Sequence, residues 1–119
     1  MKILITGING LIGETIANFF LSQGYDVAGI GRTTHSSLSN KIRFYQIDLC
    51  DDYKNFSKVI DDYFDLVIHC AAQQPSDGTS VQDFYNSNIE ATSNLLSWMK
   101  VCRMNKIIHF STLAFLRFS

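Results

Sequence analysis

A single proline, Pro75, and three cysteines without C-x-x-C spacing leave this 119-residue chain without two common devices of small domains. Cys50, Cys70 and Cys102 are odd in number and widely separated, which argues against a disulfide framework and a zinc site and leaves reduced, mostly buried thiols. Excess charge is missing as well. The formal net charge of -1 offers no broad attraction for nucleic acid or an anionic membrane, so neither partner is expected. No apolar run approaches the length of a bilayer span, and the chain opens on a strand-like run rather than a charged segment followed by an apolar one. A cytoplasmic protein is the expectation. His35, His69 and His109 lack ligand-like spacing, so no metal site is expected either. What the chain does have is 46% hydrophobic against 18% charged residues, the balance of one soluble domain with a single core.

The strongest local signal stands at the start. Lys2 to Ile5 is an apolar strand-like run, and Thr6-Gly7-Ile8-Asn9-Gly10-Leu11-Ile12-Gly13 follows it directly. Glycine serves a separate need at each position: a sharp turn off the strand at Gly7, backbone access to a phosphate at Gly10, and close packing of helix on strand at Gly13. Free N–H groups in the first turn of the following helix would then face an anion, which the helix dipole favours. A structural turn also needs glycine. The preceding strand, together with Ile12, Ile16, Phe19 and Phe20 at helical spacing, supports a pyrophosphate cradle for a dinucleotide.

Strand-like and helical runs alternate along the rest of the chain, the pattern of a parallel sheet covered on both faces. Gly24 reads as the end of the first helix, Tyr25 to Ile30 as a second strand, Arg32 to Asn40 as a polar loop and Ile42 to Ile47 as a third strand. Tyr53, Phe56, Val59, Ile60 and Tyr63 recur at three- and four-residue spacing and predict a helix. Asp65 to Cys70 reads as a fourth strand, the segment around Pro75, Ser76, Asp77 and Gly78 as a loop, Phe84 through Trp98 as a long helix, and Lys106 to Phe110 as a fifth strand. Right-handed crossovers then predict a doubly wound α/β Rossmann sheet of order 3-2-1-4-5, with its switch point between strands one and four. Ligands of such sheets bind at the carboxyl ends of the strands, so Gly7 to Gly13, Cys70 to Gln73 and Ser111 to Leu113 should share one cleft.

On these motifs the chain resembles the extended short-chain dehydrogenase/reductase family, also described as the NAD-dependent epimerase/dehydratase family, from Met1 to about Leu116. Thr6-Gly7-x-x-Gly10-x-x-Gly13 matches the family's T-G-x-x-G-x-x-G. The resemblance implies that the amides of Leu11 and Ile12 approach the pyrophosphate, with Asn9 in the same cradle. Asp48-Leu49 after the third strand matches the position whose Asp contacts adenine, although an acid there also suits a solvated turn. Val67-Ile68-His69-Cys70-Ala71-Ala72 resembles V-I-H-x-A-A, which implies that Ala71 and Ala72 lie against ribose and nicotinamide. His69 itself reads as a satisfied core residue, not a base. Asn88-Ile89-Glu90-Ala91-Thr92-x-Asn94-Leu95-Leu96 resembles N-x-x-G-T-x-N-L-L with Ala91 in the glycine's place, and Asn88 there suits a structural bridge at least as well as a catalytic role.

The end of strand two bears on cofactor choice. Family members that prefer NAD carry an acid there for the ribose 2′-hydroxyl, whereas this chain has Gly31 and Arg32, which suits a 2′-phosphate held by a guanidinium. NADP is the expected preference and NAD the alternative. Thr112, with Ser111 as the other candidate, matches the family's catalytic Ser or Thr, whose hydroxyl hydrogen-bonds the reacting oxygen. The family's Tyr-x-x-x-Lys acid/base pair is absent, since none of the five tyrosines has Lys four residues on. The expected organisation is therefore an incomplete dinucleotide-binding domain over residues 1–116 with a tail at 117–119, its fifth strand an exposed edge open to self-association. The resemblance implies the cofactor-binding part of an epimerase, dehydratase or reductase acting on a nucleotide-linked sugar. The alternatives are a dinucleotide sensor without chemistry or a truncated remnant.

Overall fold

The computed structural model describes residues 1–33, 38, 40–70 and 80–110, the side chains of Val81 and Phe84 excepted. Ala71, Ala72 and the Pro75 loop, as well as His35, Ser111, Thr112 and the tail, lie outside the described residues. Over the described residues the chain builds β1 (Lys2–Thr6), α1 (Leu11–Ser22), β2 (Asp26–Gly31), β3 (Arg43–Gln46), a 3-10 helix (Tyr53–Lys58), β4 (Leu66–His69), α2 (Val81–Val101) and β5 (Ile107–His109). All strand pairs are parallel and the sheet order is β3-β2-β1-β4-β5, as the crossover rule predicts.

Strand alternation divides the core in two. Leu4, Ile30 and Val67 point toward α2 and the 3-10 helix, where they meet Phe56, Leu95, Trp98 and Met99. Ile3, Ile5, Val27 and Ile68 point the other way and meet Ile8, Ala17, Ile16 and Phe20 at α1. Both faces of β1 are therefore buried, which is why Ile3-Leu4-Ile5 is continuously apolar rather than alternating. Trp98 and Phe56 stack edge to face at 6.3 Å, and each buried side chain of this size contributes about 2–3 kcal/mol through removal of its apolar surface from water. At the end of α1, Gly24 takes a positive φ of 84°, which returns the N–H groups of Gly24 and Tyr25 to the carbonyls of Leu21 and Phe20.

Three expectations are corrected. The segment from Tyr53 to Tyr63 forms a 3-10 helix only as far as Lys58, not a full amphipathic helix. Asp52 caps it through Lys54 N–H, and the N–H groups of Val59 and Ile60 both fold back onto Phe56 O. Phe56 and Ile60 are buried, but Val59 and Tyr63 are exposed, and the helix ends at Lys58, short of Asp62, which is bonded to Lys2 and Arg43. Within α1, Ile12 and Phe19 face solvent while Ile16 and Phe20 pack on the core, so the buried face is narrower than the apolar spacing suggested. The three thiols are only partly buried. Among the described residues β5 is an edge strand that leaves Ile108 and Phe110 exposed, and no helix is long and apolar enough to cross a membrane.

Opposite the cleft end, Asp62 gathers the amino ends of the strands. Its carboxylate accepts from Lys2 Nζ at 3.0 Å, from the Arg43 guanidinium and from Tyr63 N–H, and these donors hold it well below the usual carboxylate range. Arg43 also reaches Asp26 at 3.4 Å. A carboxyl whose pKa is depressed on folding contributes stability that is complete above its unfolded value and is lost as pH falls. The contribution of Asp62 should therefore be intact above pH 3.8 and fade below it. Asp62→Asn should lower the melting temperature at pH 7 by a few degrees and flatten the acid limb of the stability curve, as read by circular dichroism melts from pH 7 to 2; an unchanged acid limb would show that the cluster is inert.

Candidate functional site

The carboxyl ends of β1, β2, β3 and β4 open onto one cleft of about 520 Å³, within the range of small-molecule sites. Five segments line it: Gly7 with Asn9 to Gly13, then Ile30 to Thr33, Ile47 to Cys50, Cys70 just after β4, and Ser87, Asn88 and Ala91 of α2. The cleft lies beside the β1–β4 junction, the switch point of the sheet.

The glycine turn has the geometry of an anion cradle. Gly7 sits at a positive φ of 68°, and its carbonyl accepts from Gly10 N–H at 3.0 Å, which folds the chain straight into α1. The N-cap is Gly10, in extended conformation and without a side-chain cap, so no local side chain competes for the first-turn amides of Leu11, Ile12 and Gly13. Gly13 is buried against the turn. A Cβ on it would stand 2.2 Å from Gly7 O and 2.9 Å from Gly7 C, closer than atoms can approach. The partner it packs on is thus the turn itself, not the strand, which refines the sequence expectation. An uncapped helix N-terminus held this close to a glycine turn fits the pyrophosphate of a dinucleotide.

The other expected residues divide by position. Arg32 and Asp48 both line the cleft and are exposed. The Arg32 carbonyl accepts from Gln46 Nε2 at 3.2 Å, which ties its backbone to β3. Asp48 Oδ1 accepts from Cys50 N–H at 3.0 Å, so the carboxylate shapes the turn that carries it. Leu49 is buried, and its carbonyl accepts from Asn94 Nδ2 at 2.8 Å, a bridge from α2 to the loop after β3. In the N-x-x-A-T-x-N-L-L segment, Asn94 thus makes a bridge of the kind considered for Asn88, while Asn88 itself is half-buried at the cleft wall. Thr33, Cys50 and Ser87 also line the cleft and had no signal in the sequence apart from their neighbours, and Ala91, at the glycine position of the N-x-x-G-T-x-N-L-L segment, lines it too. Ala71, Ala72 and Thr112 lie outside the described residues.

Behind the cleft, His69 is fully buried and both of its nitrogens are paired. Nδ1 lies 2.6 Å from Thr6 Oγ1 and Nε2 lies 3.0 Å from Thr92 Oγ1, so each nitrogen meets a hydroxyl able to donate or accept. Thr6 Oγ1 also accepts from Cys70 N–H at 3.1 Å. The ring stacks on His109 at 4.8 Å. Burial, reinforced by His109, lowers the His69 pKa from 6.5 to about 4, so the ring is neutral near pH 7. This chain of hydroxyls and imidazole joins β1, β4 and α2 at the switch point. Beside it, burial pushes the Cys70 thiol up to about 11, and burial with nearby Asp48 and Glu90 raises Cys50.

The model of the NAD dependent epimerase/dehydratase family matches residues 3–116. The chain is 33% identical over 96% of its length to UDP-glucose 4-epimerase of Halalkalibacterium halodurans, covering 35% of that protein. It is 29% identical over 97% of its length to the decarboxylating sterol-4-alpha-carboxylate 3-dehydrogenase of Dictyostelium discoideum, covering 34% of it. Among solved structures, UDP-glucose 4-epimerase from Bifidobacterium longum, in complex with NAD+ and UDP, superposes with a TM-score of 0.76 at 26% identity, covering 94% of this chain and 37% of that one. The chain spans about a third of the length of the curated relatives it matches.

Two measurements test the site's construction. Because the collision at Gly13 is with backbone, Gly13→Ala should destabilise the fold by roughly 2 kcal/mol or more in urea titrations, since overpacking that forces backbone movement costs this much; a change within error would mean that α1 can recede freely. For His69, whose pKa falls on folding, the unfolded chain binds the extra proton, so stability is full above pH 6.5 and declines as pH drops toward about 4. The loss should reach about 3 kcal/mol over that window and disappear in His69→Gln, a comparison of urea midpoints at pH 7 and pH 4.5 being the check.

Proposed function

Because the chain belongs to the NAD dependent epimerase/dehydratase family, we propose that it is the dinucleotide-binding part of an epimerase, dehydratase or reductase acting on a nucleotide-linked sugar. The observation that carries this reading is the glycine turn, where the β1 carboxyl end, an uncapped helix and a backbone contact that excludes any Cβ meet at the switch point. In this reading the amides of Leu11 and Ile12, with Asn9, Gly10 and Gly13 around them, take the pyrophosphate. Asp48 and Leu49 take the adenine, while Ala71 and Ala72 leave space for ribose and nicotinamide. The nicotinamide supplies a hydride acceptor or donor. Thr112 is the catalytic candidate, its hydroxyl donating to the oxygen of the reacting alcohol or ketone. The sugar-nucleotide assignment draws on the epimerase relatives, one of which was solved with UDP and NAD+.

The β2 terminus favours the phosphorylated cofactor. Gly31 brings no carboxylate to repel a 2′-phosphate, and Arg32 at the cleft mouth presents a planar fork that holds phosphate in a bidentate manner. Fluorescence titration of the chain should show NADPH binding about tenfold more tightly than NADH, with Arg32→Ala bringing the two to parity by weakening NADPH. Tighter NADH binding would overturn the NADP assignment and leave the dinucleotide reading standing; binding of neither would overturn both.

A further inference from the structure

The last residue of β2 has no room for a side chain. A Cβ on Gly31 would stand 2.7 Å from Asn9 Nδ2 and 3.1 Å from two ring carbons of Phe44. The Asn9 carboxamide is held in that place by its own hydrogen bond, Nδ2 donating to Thr33 Oγ1 at 3.0 Å. It thereby spans from the glycine turn to the loop after β2 and closes over Gly31. Of the two walls, the Phe44 ring is half-buried and packs against the α1-side core, whereas Asn9 is the far end of a flexible, exposed side chain. A side chain introduced at this position would therefore displace Asn9 and break its bond to Thr33.

This occupancy has a chemical consequence. An acid at the end of β2 is the group that would accept from a ribose 2′-hydroxyl, and here its space is taken by an amide N–H₂, with Arg32 the next residue in the chain. Asn9, Arg32 and Thr33 are all donor-bearing residues, and none of the three is a carboxylate. We propose that Asn9 is a specificity-determining residue coupled to Gly31: its carboxamide, bonded to Thr33, fills the space above Gly31, so that an acidic side chain at the β2 terminus must first displace it and break that bond, and the corner stays selective for a 2′-phosphorylated dinucleotide. The proposal rests on the dinucleotide reading above. It differs from a role for Arg32 alone in requiring that Asn9 and Gly31 act together, so that an acid in place of Gly31 confers selectivity for NADH only after Asn9 is shortened.

The test is a double-mutant cycle with Asn9→Ala, Gly31→Asp and the combined variant, reading dissociation constants for NADPH and NADH and the melting temperature of the nucleotide-free protein. Gly31→Asp alone is expected to lower the melting temperature and weaken both nucleotides, because the introduced carboxylate would force Asn9 off Thr33. In the Asn9→Ala background the same substitution should be tolerated in the melt and shift preference toward NADH by about tenfold or more, since a fitted acid accepts from the 2′-hydroxyl and repels a 2′-phosphate. Additive effects in both readouts, or a switch to NADH by Gly31→Asp alone with an unchanged melt, would overturn the coupling while the dinucleotide reading survived. Failure of the unsubstituted chain to bind either nucleotide would overturn the dinucleotide reading and the selectivity together. The melting temperatures would in that case still report separately on the Asn9–Gly31 contact.

Discussion

The approach of Gly13 to the Gly7 carbonyl sets the arrangement on which the cleft depends. Helix α1 starts directly over the turn that ends β1, with no side chain between them, because any Cβ at Gly13 would overlap Gly7 O at 2.2 Å. That closeness has two results. It brings the uncapped amides of the first turn to the carboxyl edge of the sheet, and it lets Ile8, at the bottom of the turn, pack beneath α1 in the same cluster as Ile5 and Ala17. The uncapped helix terminus at the cleft and the core on the α1 side are therefore products of one backbone contact. A substitution there should act on stability and binding together, unlike a change at the solvent-facing Arg32.

The opposite side of the sheet is secured differently. Where α1 meets backbone with backbone, α2 lies over β4 through a buried polar chain in which His69 bridges Thr6 and Thr92. Polar groups at that depth are tolerated because each is paired, and their directional bonds fix how β1, β4 and α2 meet at the switch point. Asn94 adds a second tie, from α2 to the carbonyl of Leu49. One wall of the cleft thus stands on close packing and the other on hydrogen bonds. Only the second is sensitive to mild acid, through the imidazole whose pKa falls to about 4.

Much of this was legible in the sequence, for reasons that differ by element. The strand order followed from alternation and crossover handedness, which depend on chain chirality rather than on particular side chains. The glycine turn was legible because its spacing after a strand is itself a signature, and the structure shows the steric need most sharply at Gly13, with a positive φ at Gly7. The 3-10 helix was not, because spacing records which residues could share a face, not which helix type forms or how far it continues. Phe56 and Ile60 bury, but Asp62 is claimed by Lys2 and Arg43, some 60 and 19 residues away in sequence. The Asn9–Thr33 bond over Gly31 was illegible for the same reason. It joins residues 24 apart whose meeting is decided by the β1–β2 register, and Gly31 read alone records an absence rather than the group that fills it.

The protonation states around the cleft bear on what its described walls can do. A general acid or base at neutral pH needs a pKa near that of its surroundings and a free lone pair or proton aimed at the substrate. His69 has neither: its pKa lies near 4, and both nitrogens are committed to threonines of the scaffold. Cys70, raised to about 11, stays a thiol, and Cys50 is pushed in the same direction. The described cleft groups with shifted pKa values are thus held in their neutral forms near pH 7. Neutrality suits the dinucleotide proposed for this cleft, because an added thiolate or carboxylate would oppose its phosphates at the helix terminus. Proton transfer to a substrate would then fall to groups outside these walls, and the walls themselves are built to hold and orient.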